Sequence, residues 1–287
     1  MLEFVVDINF EKLTVGRYLR TYCLVSARTL AKLKRIEGAI LLNGKPARAV
    51  DIAKFGDRIT IEIPSGSSEG VTSFDIPVDV VYEDKYLIVL NKPPFMPVHP
   101  TKIHQEDTLA NALSFYAENR GEHYTFHAVN RLDRNTSGLV IVAKDRHTAS
   151  VMSQSNITKH YTAFVHGKIA EKGTVNAPIA LSPDSKIVRV VSDTGKASVT
   201  HYEPLEYKGS FTVLKLVLET GRTHQIRCHM SYMGHPLLGD DLYGGSLDKI
   251  SRHALHCGYI SFMHPISNEY VELTADLPTD MKTVLDF

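Results

Sequence analysis

Three stretches carry side chains whose types and spacing suit chemistry. The first is His127–Lys144, HAVNRLDRNTSGLVIVAK, in which Asp133 sits between Arg131 and Arg134 just before an apolar run. The second is Lys159–Gly167, KHYTAFVHG, which places Tyr161 in a segment of strand-like composition. The third is Gly221–Met230, GRTHQIRCHM, with Arg222, His224 and Arg227 close together, and it reads as an extended segment or tight turn aiming several donors at one anion. A carboxylate kept ionised as a nucleophile in a dry pocket needs a cation beside it. Arginine serves best, since it is always charged and forks onto carboxylates. Read alone, RLDR is also what a surface turn with a weak ion pair looks like.

The rest of the inventory narrows the chemistry. No GxGxxG or GxxxxGK[ST] follows a strand pattern, HExxH is absent, and Thr136-Ser137-Gly138 lacks the first glycine of a nucleophile elbow. The 14 histidines are scattered. The pairs His224/His229 and His253/His256 lack cysteine or carboxylate partners at ligand spacing, so hydrogen-bonding or ligand-facing roles fit them better than a metal. Neither a metal nor any other cofactor is expected. A carboxylate-dependent hydrolase would need a second acid at a suitable distance, and no motif supplies one.

The elements that must position these groups follow from pattern. Leu139–Ala143 is β-branched and uninterrupted, a buried strand. Further strands are expected at Val78–Glu83, Tyr86–Leu90, Gly173–Ala180, Ile187–Val191, Ser198–Leu205, Phe211–Leu218, Tyr259–Phe262 and Glu269–Thr274, with helices over Thr108–Asn119 and Arg146–Ser155. Many modest strands and few helices predict an α+β fold with a large mixed, mostly antiparallel β-sheet flanked by helices. Towards the N-terminus, Thr14 and Ser26 are placed to cap helices over Val15–Tyr22 and Ala27–Glu37, Gly38 stops the second, and Asn43-Gly44 marks a hairpin before the strand Arg58–Ile63. Pro64–Gly70, PSGSSEG, reads as a linker. The expected division is therefore a small module over 1–64, a linker over 65–73 and a catalytic unit over 74–287.

Charge is balanced overall, at 32 basic and 32 acidic residues, but unevenly placed. Glu11–Arg58 holds 11 basic and 4 acidic residues, a net of +7, which leaves 21 basic and 28 acidic elsewhere. A basic appendage on a mildly acidic body suits a polyanion partner. Cys23, Cys228 and Cys257 are few, odd in number and without a CxxC, which argues for a reducing, cytoplasmic setting. No apolar run reaches the ~18 residues of a membrane span, and the first residues lack the order of a signal peptide.

With these residues in view, RLDRNTSGLVIVAK resembles the central motif of the RluA-type pseudouridine synthases. The segments VVYEDKYLIVLNKPPFMPVHP, KHYTAFVHG, TGRTHQIRCHMSYMGHPLLGDDLYG and RHALHCGYISFMHP resemble the family's other motifs in the same order, from about Val80 to Pro265. Leu13–Ile63 resembles the S4-like, αL-type RNA-binding module found in members that modify large-subunit ribosomal RNA.

The resemblance implies isomerisation of uridine to pseudouridine, most readily in large-subunit ribosomal RNA, by a cytoplasmic monomer. Asp133 would be the catalytic aspartate and Tyr161 would stack on the uracil and act as base at carbon 5. Arg227 would pair with Asp133, and Arg131 would replace the flipped nucleotide in the stack. Arg134 would contact RNA, as would Arg28, Lys32, Arg35, Asn43 and Lys45 of the module, and Arg222 and His224 would be structural or RNA-phosphate contacts. Asn130 stands where the family usually has histidine, which points to altered RNA contacts or loop orientation. A transfer-RNA pseudouridine synthase, and a non-catalytic RNA-binding or ribosome-assembly factor on the same fold, are the alternatives.

Overall fold

A computed structural model of the chain describes residues 2–10, 12–62, 71–122 and 125–286. The first four strands, β1 (Leu2–Val5), β2 (Ile40–Leu42), β3 (Lys45–Pro46) and β4 (Arg58–Ile61), form one sheet in the order β1-β4-β2-β3. Helices α1 (Val15–Thr21) and α2 (Ala27–Leu33) precede β2. Thr14 and Ser26 cap them, each accepting a backbone N–H three residues on. That satisfies one of the donors every helix start leaves open. The second helix stops at Leu33, four residues short of Glu37, so Arg35 lies beyond it. Val15, Leu19, Val25, Leu33, Ile59 and Ile61 form the buried core of this module. Most of the expected linker falls outside the described residues.

Twelve strands follow among the described residues. They are β5 (Val80–Glu83), β6 (Leu87–Lys92), β7 (His127–Ala128), β8 (Ser137–Ala143), β9 (Ile157–His166), β10 (Gly173–Asn176), β11 (Ile179–Leu181), β12 (Arg189–Val191), β13 (Val199–Tyr207), β14 (Phe211–Leu218), β15 (Leu255–Met263) and β16 (Tyr270–Thr274). Ten of them make one sheet, in the order β10-β13-β14-β9-β15-β8-β6-β5, with β16 added to β15 and β7 to β8. Among the described pairs of this sheet only β15 and β8 run parallel, so it is mixed and mostly antiparallel, as the α+β pattern predicts. The helices are α3 (Leu109–Asn119), α4 (Arg146–Met152), α5 (Gln225–Tyr232) and α6 (Thr279–Leu285).

Two expectations need correcting. Gly173–Ala180 is not one strand. It breaks at Ala177-Pro178 into β10, which joins the large sheet, and β11, which pairs with β12 in a two-stranded ribbon. Proline cannot donate to a ladder, and the chain changes sheets where it stands. GRTHQIR is not extended or a tight turn, because its second half opens helix α5.

The junction that positions Asp133 lies at the start of β8. All seven residues of β8 are buried. β8 touches β15 only at Ser137↔His256 and Gly138↔Cys257, then continues along β6. Gly138 has φ +115°, and a Cβ there would lie 2.2 Å from the Cys257 carbonyl oxygen, so only glycine lets the strands cross this closely. The turn carrying Asp133 is thus held at a point where backbone from three strands converges. The N-terminal module packs on the same body. Phe4 meets His147 edge-on at 5.7 Å, and Tyr86 and Ile266 pack against the module's core. No helix among the described residues is long and apolar enough to cross a membrane.

Candidate active site

Asp133 and Arg131 arrive on the turn before β8, Tyr161 from the middle of β9, and Arg222, His224 and Arg227 from the loop and first turn of α5. All six line one open pocket of about 370 Å³, counting its mouth. Leu132, Leu218, Ile226 and Leu255 supply apolar wall between them. Residues separated by almost a hundred positions thus meet in one concavity lined by both charged and apolar side chains.

Arg227 does not simply pair with Asp133. Its guanidinium forks onto Asp240, Nε to Oδ2 at 2.8 Å and Nη2 to Oδ1 at 2.7 Å. The remaining nitrogen, Nη1, reaches Asp133 Oδ2 at 3.5 Å. Both members of the fork are buried, at 8% and 1% side-chain exposure, whereas Asp133 is 27% exposed. Burial opposes the Arg227 charge, but the bonds to Asp240 outweigh it and raise its pKa above the ordinary arginine value. Its guanidinium also lies 5.0 Å over the ring of Tyr243. Asp240 is therefore the fixed partner that holds Arg227 in place, and Asp133 meets only the edge left over. The GDD of GHPLLGDDLYG contains this residue, but one carboxylate in a glycine-rich loop gives no local signal of a partner 13 positions away.

His224 precedes α5 with a left-handed backbone, φ 57°, uncommon for a non-glycine residue. Its Nδ1 lies 3.0 Å from the Tyr243 hydroxyl and its Nε2 3.8 Å from Asp133 Oδ2. Burial lowers its pKa despite the attraction of Asp133, so the imidazole is neutral at neutral pH and makes no ion pair. Arg222 is exposed, with Nε donating to the Ala197 carbonyl at 3.3 Å. Among the other histidines, His229 is buried and bonded to Thr200 Oγ1 and the Ala177 carbonyl. No three His, Cys, Asp or Glu side chains gather as a metal site among the described residues.

Tyr161 is 7% exposed and sits opposite Cys257 in the β9–β15 ladder. Burial first, and then the neighbouring Cys257 and Asp133, push its phenol well above the usual value. It stays protonated at any ordinary pH. Its ring lines the pocket, where an aromatic face suits stacking.

Behind the turn lie groups absent from the sequence-level candidates. Lys92 is fully buried and donates to the carbonyls of Pro93, Met96 and Arg134 at 2.8, 2.9 and 3.1 Å. Burial pushes its ammonium down to about 7, with Asp133 pulling the other way. His253, pushed by burial to about 2, is neutral and meets Thr136 Oγ1 at 2.8 Å.

Asn130 faces inward. Its Oδ1 accepts from the Ile141 N–H at 2.8 Å and its Nδ2 donates to the Leu139 carbonyl at 3.1 Å, so it splints β8 from the side. Asn130→Ala is expected to cost about 1–3 kcal/mol, because two buried backbone groups are left without partners. Urea denaturation reads this, and a midpoint equal to wild type would contradict it. In the N-terminal module Arg28, Lys32, Arg35 and Lys45 are exposed. Asn43 is occupied: it donates to Asp57 at 2.8 Å and accepts from the Arg58 N–H at 2.9 Å, holding its hairpin against β4. Arg131 and Arg134 are exposed beside Asp133.

Residues 86–232 match the family described as RNA pseudouridylate synthase. Over 267 residues the chain is 40% identical to YjbO of Bacillus subtilis (strain 168), an uncharacterized RNA pseudouridine synthase, covering 91% of this chain and 94% of that one. It is 35% identical over 266 residues to ribosomal large subunit pseudouridine synthase D of Xanthomonas campestris pv. campestris, covering 86% of this chain and 80% of the other. The solved structure of human RNA pseudouridylate synthase domain containing 4 superposes with a TM-score of 0.59 at 25% identity, over 72% of this chain and 92% of that one. The chain belongs to the RNA pseudouridylate synthase family. It is an isomerase that converts uridine to pseudouridine in RNA.

Proposed function

We propose that the target is large-subunit ribosomal RNA and that Asp133 is the nucleophile. The carrying observation is the pocket that collects Asp133, Tyr161 and Arg227 from three elements distant in sequence. Isomerisation needs the glycosidic bond from the ribose to N1 broken, the freed uracil turned in place, and a new bond made to carbon 5, whose proton leaves. The target base must first come out of the stack, at a cost of a few kcal/mol. Exposed Arg131 at the pocket rim is the group to fill the gap it leaves. Asp133 then attacks either sugar or base, with Arg227 close enough to steady its charge and too committed to Asp240 to quench it. Tyr161 stacks on the detached base, and the apolar wall keeps it from diffusing away.

The ribosomal assignment is supported by the relatives named as large-subunit enzymes and by the basic N-terminal module, which we read as an S4-like RNA-binding unit over 1–64, joined through 65–73 to a catalytic unit over 74–287. Its exposed Arg28, Lys32, Arg35 and Lys45, with Arg134 and Arg222 near the pocket, suit phosphate contacts, which position RNA without reading its sequence. The enzyme would act as a cytoplasmic monomer. Charge reversal at Arg28, Lys32 and Arg35 together is expected to weaken RNA binding and flatten its salt dependence by about 0.7–0.9 in log–log slope for each phosphate no longer neutralised. An unchanged slope would remove the module from the RNA interface. Target class is read by tritium release from RNA labelled at carbon 5 of uridine, comparing large-subunit transcripts with transfer RNA. Release confined to transfer RNA would overturn the ribosomal assignment.

A further inference from the structure

The turn that carries Asp133 is gripped from behind by a buried cation, and α6 anchors that cation. Arg252 has 0% side-chain exposure and forks onto Asp280 in the first turn of α6, Nε to Oδ2 at 2.6 Å and Nη2 to Oδ1 at 2.9 Å. Its other nitrogen, Nη1, donates to the Asn135 carbonyl at 3.0 Å and also reaches the carbonyls of His253 and Leu255 at 3.1 and 3.3 Å. Asn135 is two residues past Asp133. The next residue, Thr136, closes the turn by donating its N–H to the Asp133 carbonyl at 3.0 Å. Its side chain is the one His253 holds. Residues 252 and 253 therefore grip residues 135 and 136 in the same turn as the nucleophile, while Lys92 holds the Arg134 carbonyl.

Helix α6 does not need this ion pair to dock. Met281 and Val284, 0% and 1% exposed, pack it against Phe164, Phe211, Leu238 and Ala254. What the pair adds is orientation. A guanidinium is a rigid plane, so fixing one edge on a carboxylate fixes where the opposite edge points. Here the opposite edge points at the backbone of the Asp133 turn.

We propose that Arg252 and Asp280 are positioning residues for the isomerisation, forming a latch through which α6 sets the place of the Asp133 turn. The proposal rests on the role assigned to Asp133 above. Under single-turnover conditions with enzyme in excess, the fraction of active molecules does not enter the rate constant. Asp280→Asn is then expected to slow pseudouridine formation about tenfold to a hundredfold, the effect of misplacing a reacting group by about 1 Å. RNA affinity is expected to stay within about twofold, since the latch acts on the chemical step. Asp280→Glu keeps the carboxylate and recovers most of the rate. Lys282→Ala, on the same helix and paired with Asp276 at the surface, leaves the rate unchanged.

A folded Asp280→Asn protein within about twofold of the wild-type rate overturns the latch. So does a loss of RNA affinity in parallel with rate, or failure of Asp280→Glu to recover it. Should Asp280→Asn not fold, Arg252→Lys keeps the buried charge, gives up the fork, and is judged by the same criteria. Asp133→Ala is measured alongside. If it turns over like wild type, the role of Asp133 falls and the latch with it. If it is inert while Asp280→Asn is unaffected, the latch alone is overturned.

Discussion

Asp133→Asn is expected to abolish pseudouridine formation while RNA binding stays within a few-fold of wild type. The amide is nearly isosteric, so the turn and its approach to Arg227 can persist, but it cannot act as an anionic nucleophile. Losing a covalent nucleophile should cost at least ~10³-fold in rate, beyond the roughly 10²–10³ of a single stabilising hydrogen bond. Because Asp133 is partly exposed and lies 3.5 Å from Arg227, stability should hardly move. Tritium release from labelled RNA and a filter-binding isotherm together separate these outcomes. Turnover at the wild-type rate would end the nucleophile assignment, and loss of RNA binding in step with activity would make Asp133 a binding group instead.

The second large effect concerns Asp240, and it should fall on stability first. Asp240→Ala leaves the buried Arg227 without its fork. Removing one partner of a buried pair costs about 3–5 kcal/mol, because a desolvated charge is left behind. Asp133 already lies within reach of Arg227, so the freed guanidinium is expected to turn onto it and hold it bidentately. A nucleophile clamped that way is a poorer one, and the variant should be slow even where it is folded. Asp240→Asn, which keeps an acceptor oxygen, should be milder in both respects. Urea denaturation with rate measurements below the unfolding midpoint checks both parts. An Asp240→Ala protein as stable as wild type would show that Arg227 does not depend on the fork.

What was legible in the sequence was what local chemistry encodes. The apolar run Leu139–Ala143, the caps Thr14 and Ser26, and the Asn43-Gly44 turn each announce themselves within a few residues, and each is where the pattern placed it. Asp133, Tyr161 and Arg227 could be picked out as candidates, and they do share a pocket. Helix α5 escaped the pattern because its inward residues include Gln225, Arg227 and His229, all buried and hydrogen-bonded, which hydrophobic periodicity reads as polar surface. The same blindness hid Lys92, Asp240 and Arg252. Asp240 and Arg252 owe their importance to partners elsewhere along the chain, and Lys92 to backbone carbonyls both near and far, and a charged residue buried by such partners looks in sequence like any solvated one. Asn130 illustrates it in miniature: an odd residue beside the motif is a splint for the strand that follows.

The most direct test of the central claim is to map pseudouridine across cellular RNA in three strains: one lacking this protein, one complemented with wild type, and one complemented with Asp133→Asn at equal expression. The expected result is a position or small set of positions in large-subunit ribosomal RNA that are uridine in the deletion strain, pseudouridine with wild type, and uridine again with Asp133→Asn. Restoration of the modification by Asp133→Asn would contradict the claim.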